Sequence, residues 1–91
     1  MSSAANAYWD LIALRENARS DATLYNYGIV LKALKRPAQA LERFSQALAL
    51  NANITETWNN RGTVLNELER YQEALADFDR ALALKIGRAH V

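Results

Sequence analysis

The side chains with chemistry to offer are few. The chain has one histidine, His90, and no cysteine, so nucleophile–base pairs and thiolate metal sites lack their parts. Asp77 and Asp79 stand two apart, which on a helix turns them to different faces and suits neither a shared proton nor a shared cation. Pairing of these acids with Arg80 or with water is the expectation. With only three glycines there is no phosphate-cradling loop. Glu67, Glu69, Glu73 and Lys85 read as solvated faces. We therefore expect no catalytic residue, no metal and no cofactor, and no enzyme activity within the chain. What remains is amide chemistry at Asn26 and Asn60. A side-chain amide offers a donor and an acceptor together. It can pair with the N–H and C=O of an extended peptide without reading the peptide's side chains.

A chain of 91 residues makes one domain at most. Eleven basic and ten acidic residues are spread along it for a formal net charge of +1. That balance leaves no electrostatic footprint for nucleic acid and no basic stripe for a membrane surface. The opening "MSSAANAYWDLIAL" lacks a charged leader and a long apolar run, and no stretch approaches the roughly 18 apolar residues of a membrane span. A soluble, all-helical, cytoplasmic chain is expected.

The elements that must hold the two asparagines are written twice. Gly28 meets Gly62 at an offset of 34, and the same offset pairs Asn26 with Asn60, Leu24 with Trp58, Leu31 with Leu65 and Leu34 with Leu68. It goes on to pair Ala40 with Ala74, Leu41 with Leu75, Phe44 with Phe78, Ala47 with Ala81, Leu48 with Leu82 and Leu50 with Leu84. Each unit divides into two helices. The spacing predicts a first helix A over about 21–34, a turn at Lys35 and Arg36, and a helix B opened by Pro37, whose missing N–H costs nothing in a first turn. In the second unit the helices are expected at about 55–68 and 72–85, with Asn53 and Glu56 as a variant capping box and Tyr71 packed on the turn.

The period and these residues resemble the tetratricopeptide repeat. The family's run of large apolar, Gly, large apolar, Ala, aromatic and Ala is matched by Leu24, Gly28, Leu31, Ala40, Phe44 and Ala47. It is matched again, more closely, by Trp58, Gly62, Leu65, Tyr71, Ala74, Phe78 and Ala81. There are departures: Ala52 replaces the usual inter-repeat Pro, Arg61 a common Leu, and Lys35 the usual turn Gly. The resemblance implies an all-α, right-handed helix–turn–helix solenoid of 34-residue repeats. The expected division is a capping or half-repeat helix over 1–20, with Trp9 and Leu11 or Ile12 inward, then repeats over 21–54 and 55–85 and a non-native tail over 86–91. It also implies close crossing of helices A and B, with Gly28 opposite Ala40 and Gly62 opposite Ala74. That packing offsets the roughly 1 kcal/mol that Gly costs in a helix relative to Ala.

On a helical wheel Asn26, Ile29 and Ala33 fall within about 40° of Ala22, away from Leu24, Gly28 and Leu31. Glu56, Asn60, Thr63 and Glu67 do the same in the second unit. In a stacked solenoid this face looks into the concave groove. The candidate peptide-binding residues are therefore Asn26, Ile29, Ala33, Asn60, Thr63 and Glu67, with Tyr25 and Asn59 beside them. The asparagines are expected to form a ladder whose side chains are not consumed within the chain. At this point the sequence resembles the repeats of O-GlcNAc-transferase-like proteins, through "NYG" at Asn26–Gly28 and "NRG" at Asn60–Gly62. Two functions follow from the resemblances. One is a module, cut from a longer repeat protein, that holds an extended peptide or protein partner. The alternative is the substrate-docking arm of a larger glycosyltransferase-like enzyme. Weak self-association through an uncovered C-terminal helix is a further expectation.

The tail "IGRAHV" breaks the repeat pattern. One reverse translation, ATC GGA AGA GCA CAC GTC, preceded by the AG of a lysine codon, resembles the start of a widely used sequencing adapter. The tail is accordingly expected to be a scar that interrupts a longer gene, with His90 inside it.

Overall fold

In the computed structural model, which describes residues 20–87, four helices follow one another and no strand occurs among the described residues. The capping helix expected over 1–20 falls almost wholly outside the described residues, as does the tail from 88 to 91 with His90.

Helix α1 (Asp21–Ala33) begins where Ser20 Oγ accepts a hydrogen bond from the Thr23 N–H, 3.2 Å away. Asp21 in its first turn and Lys32 in its last complement the helix dipole. Helix α2 (Pro37–Leu50) starts on its proline. Helices α3 (Thr55–Glu67) and α4 (Tyr71–Lys85) restate the pair, and their first residues are the offset partners of Asp21 and Pro37. The chain folds back within each pair, α1 on α2 and α3 on α4, and α3 then packs on the outer side of α2.

The expected capping box at Asn53 and Glu56 does not form. Ile54 occupies the N-cap of α3 without a side-chain bond. Asn51 instead accepts from the Asn53 N–H, 3.1 Å away, because a short amide reaches the backbone two residues on. Its Nδ2 donates to Asp21 Oδ2 at 3.5 Å and ties the linker to the start of α1. Tyr71 does not staple the turn. It is the first residue of α4 and stands mostly exposed.

Both A-to-B turns close in the same way. The Lys35 N–H donates to the Lys32 carbonyl and the Arg36 N–H to the Leu31 carbonyl, at 3.1 and 2.9 Å. Glu69 and Arg70 repeat the two bonds to Asn66 and Leu65 at 3.0 and 2.8 Å. This is the Schellman ending, which needs a left-handed residue after the helix. Lys35 and Glu69 supply it at φ 63° and 62°, positions where glycine would carry no strain.

The core gathers Leu31, Ala40, Phe44 and Val64, with Tyr25, Ile29, Leu41 and Leu68 against it. Here the glycines have a different neighbour from the one expected. A methyl group on Gly28 would meet the Phe44 ring at 2.6–2.9 Å, and one on Gly62 the Phe78 ring at 2.7–3.0 Å. The facing alanines, Ala40 and Ala74, are buried, but it is the ring one turn further along helix B that fills the space each glycine leaves.

The two copies differ in what covers them. Phe44 is fully buried, whereas its counterpart Phe78 is 36% exposed. Leu48 is buried and Leu82 is more than half exposed. The difference is α3, which lies over α2 while no described element lies over the matching face of α4. After Lys85 the chain closes α4 with Ile86 and Gly87 N–H bonds to the Leu82 and Leu84 carbonyls.

Candidate functional site

The face that α1 and α3 share follows from the stacking of two A helices. It contains a shallow hollow of about 340 Å³ lined by Ile29, Lys32, Ala33, Lys35 and Glu67. Three of the residues singled out in the sequence, Ile29, Ala33 and Glu67, meet there although they come from different repeats. Ile29 is half-buried and also touches the core, so its position is fixed by packing. Lys32 and Lys35 join them unexpectedly. Lys32 lies just outside the arc of the wheel that carries Asn26 and Ile29, and Lys35 belongs to the turn. The available signal was a helix C-terminus carrying two lysines, three positions apart, beside that arc.

Asn60 departs most from expectation. Its Nδ2 donates to Tyr25 Oη at 3.1 Å and to its own helix's Glu56 carbonyl at 2.9 Å, and its Oδ1 accepts from Lys32 Nζ at 3.3 Å. Both donors of the amide are thus spent and one lone pair of the acceptor remains. The side chain expected to be available joins one repeat to the next instead. Its partners come from a different repeat, 35 and 28 residues away, where spacing within one helix gives no warning. Tyr25 is held in turn by its ring, 5.8 Å from that of Phe44 and tilted by 50°. Asn26 is exposed and makes no side-chain hydrogen bond among the described residues. Thr63 Oγ1 donates to the Asn59 carbonyl at 3.0 Å, so the hydroxyl proton is used within α3. Asn59 itself is exposed, and Asn26, Asn59 and Thr63 are not among the residues lining the hollow.

The helix-pair seam carries a second polar group. Asp77 was expected to meet Arg80 or water, but it is buried and paired with Arg61. Arg61 Nε and Nη2 donate to the two carboxylate oxygens at 2.7 and 2.9 Å, and Nη1 donates to Ser45 Oγ at 3.2 Å. This two-point fork is the geometry in which a guanidinium binds a carboxylate best. Arg80 lies over the Trp58 ring at 5.4 Å, on which Arg61 also rests at 5.2 Å. The indole is anchored by its Nε1–H, which donates to the Ala52 carbonyl at 2.8 Å. In the first repeat the positions of Arg61 and Asp77 are occupied by Tyr27 and Arg43, and Arg43 sits over the Tyr27 ring at 4.8 Å. The two repeats therefore fill one location with an ion pair in one case and a cation on an aromatic ring in the other. The departure noted at Arg61 has its explanation here.

On the surface, hydrogen bonds from Arg70 Nε and Nη2 at 3.0 and 2.8 Å hold the Glu73 carboxyl below the ordinary carboxylate range, and Glu73 raises Arg70 in return. Both are exposed at the start of α4, so the pair supports a helix start. Among the described residues no group of three or more His, Asp or Glu side chains is placed to hold a metal ion, and no helix is long and apolar enough to cross a membrane. Every buried side-chain nitrogen and oxygen among them has a hydrogen-bond partner.

Residues 55–85 match the family model described as tetratricopeptide repeat. Two solved structures share the fold. One, described as the crystal structure of MamA, superposes with a TM-score of 0.78 at 18% identity, over 87% of this chain and 46% of that one. The other, described as MamA MSR-1 C2, gives 0.75 at 24% identity, over 84% of this chain and 44% of that one. The chain spans less than half the length of either MamA chain. No curated protein sequence matches it.

Proposed function

We propose, on the premise that this chain is a helical solenoid of the tetratricopeptide-repeat fold, that it holds an extended segment of a partner protein against the face shared by α1 and α3. The observation that carries this reading is the hollow lined by Ile29, Lys32, Ala33, Lys35 and Glu67. Repeats of this family generally mediate contacts between proteins, and the fold places two A helices side by side with a depression between them. Ile29 and Ala33 supply an apolar floor, while two lysines against one glutamate favour a segment that brings a carboxylate. Asn26, Asn59 and Thr63 extend the candidate surface, and Asn60 contributes the acceptor it has left. Each such contact contributes about 1 kcal/mol net, and a millimolar complex needs about 4 kcal/mol. Two repeats should therefore bind in the millimolar range, and longer arrays gain by adding rungs.

The test is a two-dimensional amide NMR titration with three extended decapeptides, one acidic, one neutral and one basic. The acidic peptide should move the signals of Ile29, Lys32, Ala33 and Glu67 first, and Lys35→Glu, at an exposed position of the same hollow, should abolish the response while the helices persist. Shifts confined to α2 and α4, or none at several millimolar peptide, would sink the proposal.

A further inference from the structure

The junction inside the molecule shows what each free end lacks. Where α3 packs on α2, Val64 is fully buried in one cluster with Phe44, with Leu41 against it, and Thr57 on α3 and Leu48 on α2 are buried as well. The counterparts of the covering pair in α1 are Thr23 and Val30, identical in type and one repeat earlier. The counterparts of the covered face in α4 are Leu75, Phe78 and Leu82, again identical. Both halves of a second junction are present: in the covering half Thr23 is half-buried and Val30 exposed, and among the described residues no element lies over the Leu75–Phe78–Leu82 face. Val30 is 52% exposed, and Leu75, Phe78 and Leu82 are 61%, 36% and 56% exposed.

We propose that copies of this chain associate head to tail, the Thr23–Val30 edge of one copy lying on the Leu75–Phe78–Leu82 face of the next. The occupant is a second copy because the chain carries the complementary surface, residue for residue, that the internal junction uses. The polar fringe agrees. At the internal junction Asn60 is gripped by Tyr25 and Lys32. Across the new one the incoming Asn26 would meet the counterparts of those two residues, Asn59 and Asn66, both of which are exposed and neutral. No charge is buried unpaired by that exchange. The contact is heterologous, since one end differs from the other, so it does not close on itself and yields a distribution of lengths. A single helix-on-helix junction is small beside a standard protein interface, so association belongs at high protein concentration.

Sedimentation velocity on the full chain, from micromolar to millimolar, tests this together with Val30→Lys and Leu82→Lys. Both positions are more than half exposed, so lysine there should leave the far-ultraviolet spectrum unchanged, and Leu75→Lys serves as a second variant of the tail face. The unaltered chain should grow beyond dimer with concentration. Each variant alone should stay monomeric, its association weakened at least about tenfold. Mixed one to one, Val30→Lys and Leu82→Lys should form a dimer and nothing longer, because one intact head remains for one intact tail. Association of Val30→Lys as strong as that of the unaltered chain would mean tail-to-tail contact and would overturn the proposal. So would a mixture that fails to pair, or an unaltered chain that is monomeric at every concentration.

Discussion

Replacing Gly28 or Gly62 by alanine is the same chemical change in the same place of each repeat, yet the structure gives it two outcomes. Both gain about 1 kcal/mol from helix propensity. Both also set a methyl group against a phenylalanine ring, at 2.6–2.9 Å for Gly28 and 2.7–3.0 Å for Gly62, so the ring must move. Phe44 has nowhere to go. It is fully buried, with Val64, Ala40 and Leu31 in the same cluster and Tyr25 packed on it. Extra volume in so closed a core costs about 1–3 kcal/mol. Phe78 is 36% exposed and can swing outward at little cost. Gly28→Ala should therefore lose about 1 kcal/mol net, while Gly62→Ala should keep most of the propensity gain and stabilise the chain by about 0.5–1 kcal/mol. Urea unfolding followed by circular dichroism resolves that gap, and in a domain this small a loss of about 1 kcal/mol moves the melting temperature by roughly 4–8 °C. Shortening the ring with Phe44→Leu should offset part of the Gly28→Ala loss, a coupling that a double-mutant cycle measures. Equal effects at the two glycines, or a larger loss at Gly62, would show that the rings do not set the requirement for glycine.

Two further sets of substitutions test the polar seam and the turns. Asp77→Ala strands the partly buried Arg61 and should cost about 2 kcal/mol, while the double replacement Arg61→Tyr with Asp77→Arg imports the pair used by Tyr27 and Arg43 and should recover most of it, as read by thermal melts. Lys35→Gly and Glu69→Gly should each stabilise the chain by about 0.5–1 kcal/mol in urea titrations, because the left-handed strain of a side chain there exceeds the entropy that glycine loses, and no gain at either site would count against that balance.

The helices were legible because burial repeats with the helical period and the whole pattern returns at an offset of 34, so Gly28, Phe44 and Ala47 could be checked against Gly62, Phe78 and Ala81. The hollow was legible in part. Ile29, Ala33 and Glu67 share a wheel position that stacking turns to one side, whereas Lys35 follows the end of a helix and no wheel describes it. What one helix could not show was contact between helices. Asn60 is an ordinary polar position until Tyr25 and Lys32 arrive from the preceding repeat. Asp77 faces Arg61 only because the turn fixes how α3 and α4 cross, 16 residues apart along the chain. A signal for that pair did exist: in the first repeat both members differ together, as Tyr27 and Arg43. The wheel considers one helix at a time and passes over it.

The unlike pairs at the two seams bear on how the chain finds its partners while folding. Repeats this similar invite mispairing, since α2 could be seized by α3 in the place of α1, or α4 by α1, with Gly, Ala and Phe positions still in register. The seam distinguishes those products. With α3 in the place of α1, Arg61 would stand against Arg43, two cations in a half-dry crevice. With α1 in the place of α3, the buried carboxylate of Asp77 would face the Tyr27 ring and lose its fork of donors. The correct pairings satisfy both groups, and each swap leaves one of them stranded. Tyr27–Arg43 and Arg61–Asp77 thus act as keys of different cut, so that near-copies of one helix pair sort themselves within a single chain.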